Sequence, residues 1–165
     1  MSRRRLLTLA VFSPALLALH GCGFRLRGAT TLPFDTLHIP PVPGSGLGGE
    51  LARQINLSAS TTTVADAGAA DARLEVLRNH RSREILSLTT AGQVREYQLN
   101  QSVMFRVVDR TGLERLPPTT VSARRDYFFD DEQVIAKEQE EALLFRDMED
   151  ELVRQIMRRL AATGR

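Results

Sequence analysis

The chain reads as an α+β domain: a mainly antiparallel sheet of four to five strands packed against two helices. Three observations carry that expectation. Between Ala72 and Phe129 apolar residues recur with period two, the last thirty-odd residues carry a helical apolar stripe, and turn signals separate neighbouring strands closely enough for hairpins. The order of elements is β-α-β-β-β-β-α, without internal repeats.

A first short strand, Asp35 to Ile39, stops at Pro40, Pro41 and Pro43, because proline cannot donate to a ladder. After Gly44-Ser45-Gly46 a helix follows, with Leu47, Leu51 and Ile55 at every fourth position and Ala52 beside them. Thr61 to Val64 is β-rich, and Ala65 to Ala70 suits a loop. Leu74 and Val76 then alternate with Arg73 and Glu75, and alternation resumes at Leu86 and Leu88. On the next strand Tyr97, Leu99, Val103, Phe105 and Val107 share one face, while Gln98, Asn100, Ser102 and Arg106 share the other. Ala91-Gly92 and Asp109-Arg110-Thr111-Gly112 are the hairpin turns, and Val121, Ala123, Arg125, Tyr127 and Phe129 continue the meander after Pro117-Pro118.

The final helix starts at Asp130, a capping residue with Gln133 placed to reach back. Its stripe is Val134, Ile135, Ala142, Phe145, Met148, Leu152, Val153, Ile156 and Leu160. Glu138, Glu140 and Glu141 sit early and Arg154, Arg158 and Arg159 late, which suits the helix dipole.

At 165 residues the chain has room for one sizeable core and not two. Its start reads as an address. Arg3 to Arg5 form a basic region, and the 14 residues from Leu6 to Leu19 are apolar apart from Thr8, Ser13 and Pro14. That run is shorter than the ~20 residues a spanning helix needs and fits a signal peptide over 1–21. Leu19-His20-Gly21-Cys22 resembles a bacterial lipobox, so Cys22, the single cysteine, is the expected lipidation site. Acyl chains there would anchor the protein to a membrane, at about 0.8 kcal/mol per buried CH₂. Gly23 stands where an Asp would signal inner-membrane retention, which favours the outer membrane. Ser2-Arg3-Arg4-Arg5-Leu6-Leu7 also has a faint twin-arginine look, which leaves Tat export open with Sec export favoured. Residues 22–34 read as a lipidated tether and 35–165 as the single domain.

The formal charge of +2 comes from that leader; removing residues 1–21 leaves 19 basic against 20 acidic side chains. Such a balance argues against nucleic-acid binding, which needs a broad basic excess. No catalytic constellation is legible. Gly44-Ser45-Gly46-Leu47-Gly48-Gly49 matches G-x-G-x-x-G but lacks the parallel β-α-β framework that a dinucleotide site needs, and serves as a helix entry. His38 and His80 have no second ligand at metal spacing, no strand-turn-helix nucleophile elbow occurs, and Asp130-Asp131-Glu132 suit a cap. The expectation is a binding protein, without catalytic residues, metal or cofactor. Arg78, Arg81 and Arg83 are expected to cluster beside the first hairpin turn, with Arg95 just beyond it and Arg124-Arg125 on the next strand. Guanidinium groups suit bidentate capture of phosphate, and solvated strand edges are the competing reading. Lys137 is the only lysine.

Cys22-Gly23-Phe24-Arg25-Leu26-Arg27, Gly92-Gln93 with Glu96-Tyr97-Gln98, Phe128-Phe129-Asp130 and Ala136-Lys137-Glu138 occur in this order along the chain. Together they resemble the LptE family of lipopolysaccharide-assembly lipoproteins. The resemblance implies an outer-membrane lipoprotein that plugs the β-barrel protein LptD, assists barrel assembly and helps deliver lipopolysaccharide to the outer leaflet. It marks Lys137 as the first candidate contact for lipopolysaccharide. The family's turn before Gly92 often carries a basic residue; Thr90 and Ala91 stand there, leaving Arg95, Arg124 and Arg125 as substitutes. The alternative from the residues alone is a free-standing outer-membrane lipoprotein that binds lipid without a barrel.

Overall fold

The computed structural model describes residues 31–58 and 60–163. The leader, Cys22 and the Cys22–Arg27 motif lie outside the described residues. The elements are β1 (Thr36–His38), α1 (Leu47–Ser58), β2 (Thr62–Val64), β3 (Ala72–Leu88), β4 (Val94–Asp109), β5 (Glu114–Phe128), a single 3-10 turn (Asp131–Gln133) and α2 (Val134–Ala162). The α+β class and the element order agree with the sequence reading.

The five strands form one sheet in the order β2-β1-β3-β4-β5. It is mixed: β3, β4 and β5 are antiparallel, while β1 runs parallel to both β2 and β3. Parallel neighbours require a crossover, and α1 supplies it between β1 and β2. Hairpin turns announce only antiparallel neighbours, so turn chemistry could not show this pairing. The two hairpins use left-handed glycines, Gly92 at φ 82° and Gly112 at φ 84°.

Strand β3 runs unbroken for 17 residues, with register shifts between Val76 and Arg78 and between Ile85 and Ser87. Each shift adds a residue, Leu77 or Leu86, and both leucines are exposed. The resumption of alternation at Leu86 is this change of phase.

Side chains alternate between buried and half-buried along β4 from Leu99 to Val107. Leu99, Val103, Phe105 and Val107 are buried in one core with Leu37 and Leu74 of the sheet, Leu47, Leu51 and Ile55 of α1, and Met148, Leu152, Ile156 and Leu160 of α2. Both helices therefore cover the same face, and the other is open and polar. Leu32 and Phe34 also join the core, and the Phe34 carbonyl accepts from Thr61 Oγ1 at 2.6 Å. Packing thus takes in two residues of the expected tether.

Ser45 helps α1 start: its hydroxyl accepts from Leu47 N at 3.1 Å, a side-chain turn at the helix entry, and donates to Glu149 of α2. A Cβ on Gly48 would stand 2.9 Å from the Pro40 carbonyl oxygen, so the glycine lets α1 lie against the segment leaving β1. Asp130 accepts from Glu132 N at 3.0 Å and from Gln133 Nε2 at 3.1 Å, so it caps the 3-10 turn rather than α2 itself, which starts at Val134 after Gln133. The expected stripe, however, is buried only from Met148 onward; Val134, Ile135 and Ala142 are exposed and Phe145 is half-buried. The first half of α2 overhangs the part of the hairpin where β3 carries polar residues instead of a core.

Candidate functional site

The far end of the molecule gathers the β3–β4 turn, the end of β5 and the start of α2. Gln93 Nε2 donates to Asp131 Oδ2 at 3.1 Å, and Phe129 N donates to the Arg95 carbonyl at 3.0 Å, which ties the three together. Exposed apolar side chains surround this tip: Ile85, Leu88, Phe128, Val134 and Ile135.

Below the tip, an aromatic cluster fills the space under the first half of α2. Tyr97 stacks on Tyr127 with centroids 5.8 Å apart and meets Phe129 edge-on at 5.2 Å. The Arg83 guanidinium lies 4.6 Å over the Tyr97 ring and donates to Glu141 Oε2 at 2.9 Å. Tyr127 donates to the same oxygen at 2.6 Å. Burial, then this bond to a carboxylate, pushes the Tyr127 phenol up to about 12. The bond to Glu141 likewise holds Arg83 above the ordinary arginine value.

One strand position pair back, Arg81 lies 5.1 Å over the Phe145 ring and pairs with Glu149, a carboxylate only 9% exposed. Between strand and helix runs an open cleft of about 420 Å³, walled by Arg81 and Arg83 on one side and Glu138, Glu141, Phe145 and Arg146 on the other. With Glu149 paired to Arg81 its three arginines meet three glutamates, so it offers paired ions and an aromatic floor, and no basic excess.

The structure separates the expected arginine cluster. Arg78 pairs with Met104 on the open face, whereas Arg81 and Arg83 point under α2 and are held by glutamates. Arg124 and Arg125 likewise diverge. Arg124 donates to Asn100 Oδ1 at 3.2 Å on the open face, and Arg125 donates to Glu151 of α2 at 2.7 Å. Arg95 is exposed beside the tip, and no described residue forms an ion pair with it. Lys137 donates to Glu140 Oε2 at 2.8 Å with its side chain 19% exposed. Lys137 and Arg95 thus share the far end, while Arg124 and Arg125 lie farther along β5 on opposite faces.

Glu141 and Glu149, which organise the cleft, did not stand out in the sequence. Their signal is spacing: they lie two helical turns apart and meet arginines two strand positions apart. Among the described residues no three His, Cys, Asp or Glu side chains form a metal-like group, and no helix is long and apolar enough to cross a membrane.

Comparison with known proteins assigns the family. A family model described as LptE, lipopolysaccharide-assembly, matches residues 34–160. The chain belongs to the LptE family. The LPS-assembly lipoprotein LptE of Pectobacterium atrosepticum is 32% identical, over 96% of this chain and 86% of that protein. LptE of Photorhabdus laumondii is 28% identical with the same coverage. Among solved structures, lipoprotein B of Nitrosomonas europaea superposes with a TM-score of 0.72 at 33% identity, covering 85% of this chain and 91% of that one. Rare lipoprotein B of Shewanella oneidensis gives 0.66 at 27% identity, covering 78% and 96%. This LptE chain therefore has its place in lipopolysaccharide assembly, in a family of lipoproteins.

Proposed function

We propose that this LptE chain is the lipid-anchored outer-membrane subunit of the lipopolysaccharide translocon. Anchored through Cys22 at the periplasmic face, it plugs the LptD β-barrel from within, assists barrel assembly and aids insertion of lipopolysaccharide into the outer leaflet. Lys137 and Arg95 at the far end are the proposed contacts for lipopolysaccharide phosphates, and Arg124 and Arg125, farther along β5, are the further candidates.

The observation that supports this reading is the open face of the sheet. Across it run Ser82, Glu84, Gln98, Asn100, Arg124 and Asp126, cross-linked by hydrogen bonds from Gln98 to Asp126 at 3.0 Å, Asn100 to Glu84 at 3.3 Å and Arg124 to Asn100. A broad face of donors and acceptors with mixed charge suits the polar lumen of a barrel, where water and lumen side chains pair with it. A bilayer would reject it.

The test is an affinity pull-down of the tagged full-length protein from outer membranes, with mass spectrometry of protein and lipid. A large β-barrel protein recovered in equal amount is the expected result. Lipid recovered without a barrel replaces the plug with a free-standing lipid binder.

A further inference from the structure

Gln101 stands in the middle of β4, in the buried row that runs from Leu99 to Val107, and is 1% exposed. Neither its Nε2 nor its Oε1 has a hydrogen-bond partner among the described residues, and the buried Oδ1 of Asn79 on β3 is likewise unpartnered. These groups share a face. Arg81 pairs with Gln101 and Asn79 with Val103, so Asn79 and Gln101 are diagonal neighbours under α2. Such neighbours lie about 7–8 Å apart at Cα, within reach of longer side chains.

The surroundings supply nothing else. Arg81, directly across on β3, spends its guanidinium on Glu149 and Phe145. Ala123, across on β5, is small and apolar, and Leu99 and Val103 flank Gln101 along its own strand. An amide buried without a partner costs roughly 1–3 kcal/mol, and native interiors meet that cost with protein groups or ordered water. Buried waters typically make about three hydrogen bonds to otherwise unsatisfied groups. The seam offers the Gln101 Nε2 amino group as donor and the Gln101 and Asn79 amide oxygens as acceptors.

We propose that ordered water is a structural ligand of this seam. A water accepts from Gln101 Nε2 and donates to Asn79 Oδ1, joining β3 to β4. The site lies where the buried stripe of α2 begins, at Met148 and Glu149, and it completes the polar line that runs from Ser45 through Glu149 to Arg81.

The experiment is a double-mutant cycle on the full chain in detergent, with Gln101→Met, Asn79→Leu and the double variant followed by thermal unfolding. If water joins the two amides, each single change leaves the bridge half-made. Tm then falls by about 2–6 °C in each, and the double variant recovers most of the loss. If the amides are independent orphans, each apolar replacement raises Tm and the shifts add, which overturns the site. Cross-relaxation between the Gln101 side-chain amide and long-lived water, measured by NMR on the unaltered chain, is expected. Its absence overturns the proposal even where a variant does not fold.

Discussion

Lys137 spends its charge locally, on Glu140 one helical turn on, and its stem is largely covered. An ion pair of this kind contributes at most about 1 kcal/mol to the fold. A charge-assisted contact to a lipid phosphate is worth about 1.5–3 kcal/mol, so Lys137→Asp is expected to weaken lipopolysaccharide binding roughly tenfold or more while Tm moves little. Unchanged binding, measured beside thermal unfolding, removes Lys137 from the proposed contacts. Tyr127 gives a second prediction. Its phenol ionises near 10 in the unfolded chain and near 12 in the fold, so the folded state favours the proton. The stability this supplies is complete below pH 10 and is lost as pH rises from about 10 to about 12. Urea midpoints across that window should fall for the native chain and flatten for Tyr127→Phe.

Helix α2 is two helices in energetic terms. From Met148 to Leu160 its stripe is closed into the core, whereas Val134 to Asp147 rest on the Arg83–Glu141 and Tyr127–Glu141 bonds and on half-buried Leu144 and Phe145. Leu152→Ala should therefore cost about 2–5 kcal/mol, as core truncations do, and Ile135→Ala should stay within about 0.5 kcal/mol. Chemical denaturation of the two variants measures the contrast, and equal losses would contradict it. The helix itself was legible, since a 3.6-residue period survives whatever it packs on, but its burial was not. Periodicity reports which residues share a face and cannot report where the opposing surface ends. The same limit applies to the arginines: Arg81 and Arg83 look like a solvated basic edge until the register brings Glu149 and Glu141 over them. Gln101 sat unremarked among apolar neighbours, because one polar residue in a buried row leaves the alternation intact. The β1 pairings were beyond local reading too, as parallel partners meet only after a crossover.

At the scale of the molecule, the sheet presents one face to its helices and leaves the other open, and a helix side chain takes one backbone group on each of its outer edges. Asn56 of α1 accepts from Thr63 N at 2.9 Å along β2, and Gln155 of α2 donates to the Ser122 carbonyl at 2.8 Å along β5. A backbone group taken in this way does not recruit another strand at that position, and on the proposed plug reading the barrel is met through side chains of the open face. Ser102 lies at the centre of that face, between His80 on β3 and Ser122 on β5. A tryptophan there adds a large side chain on the wet side of the sheet and touches none of the core, so Ser102→Trp should fold with nearly native Tm. In a barrel lumen filled by polar contacts the same side chain stands where partner atoms must lie, and overpacking of a closed interface costs about 1–3 kcal/mol or more. Recovery of the barrel protein in the pull-down should fall accordingly, with lipid attachment unaffected. Full recovery with Ser102→Trp would mean that the plug meets its barrel by the helix side, and the open face would need another use.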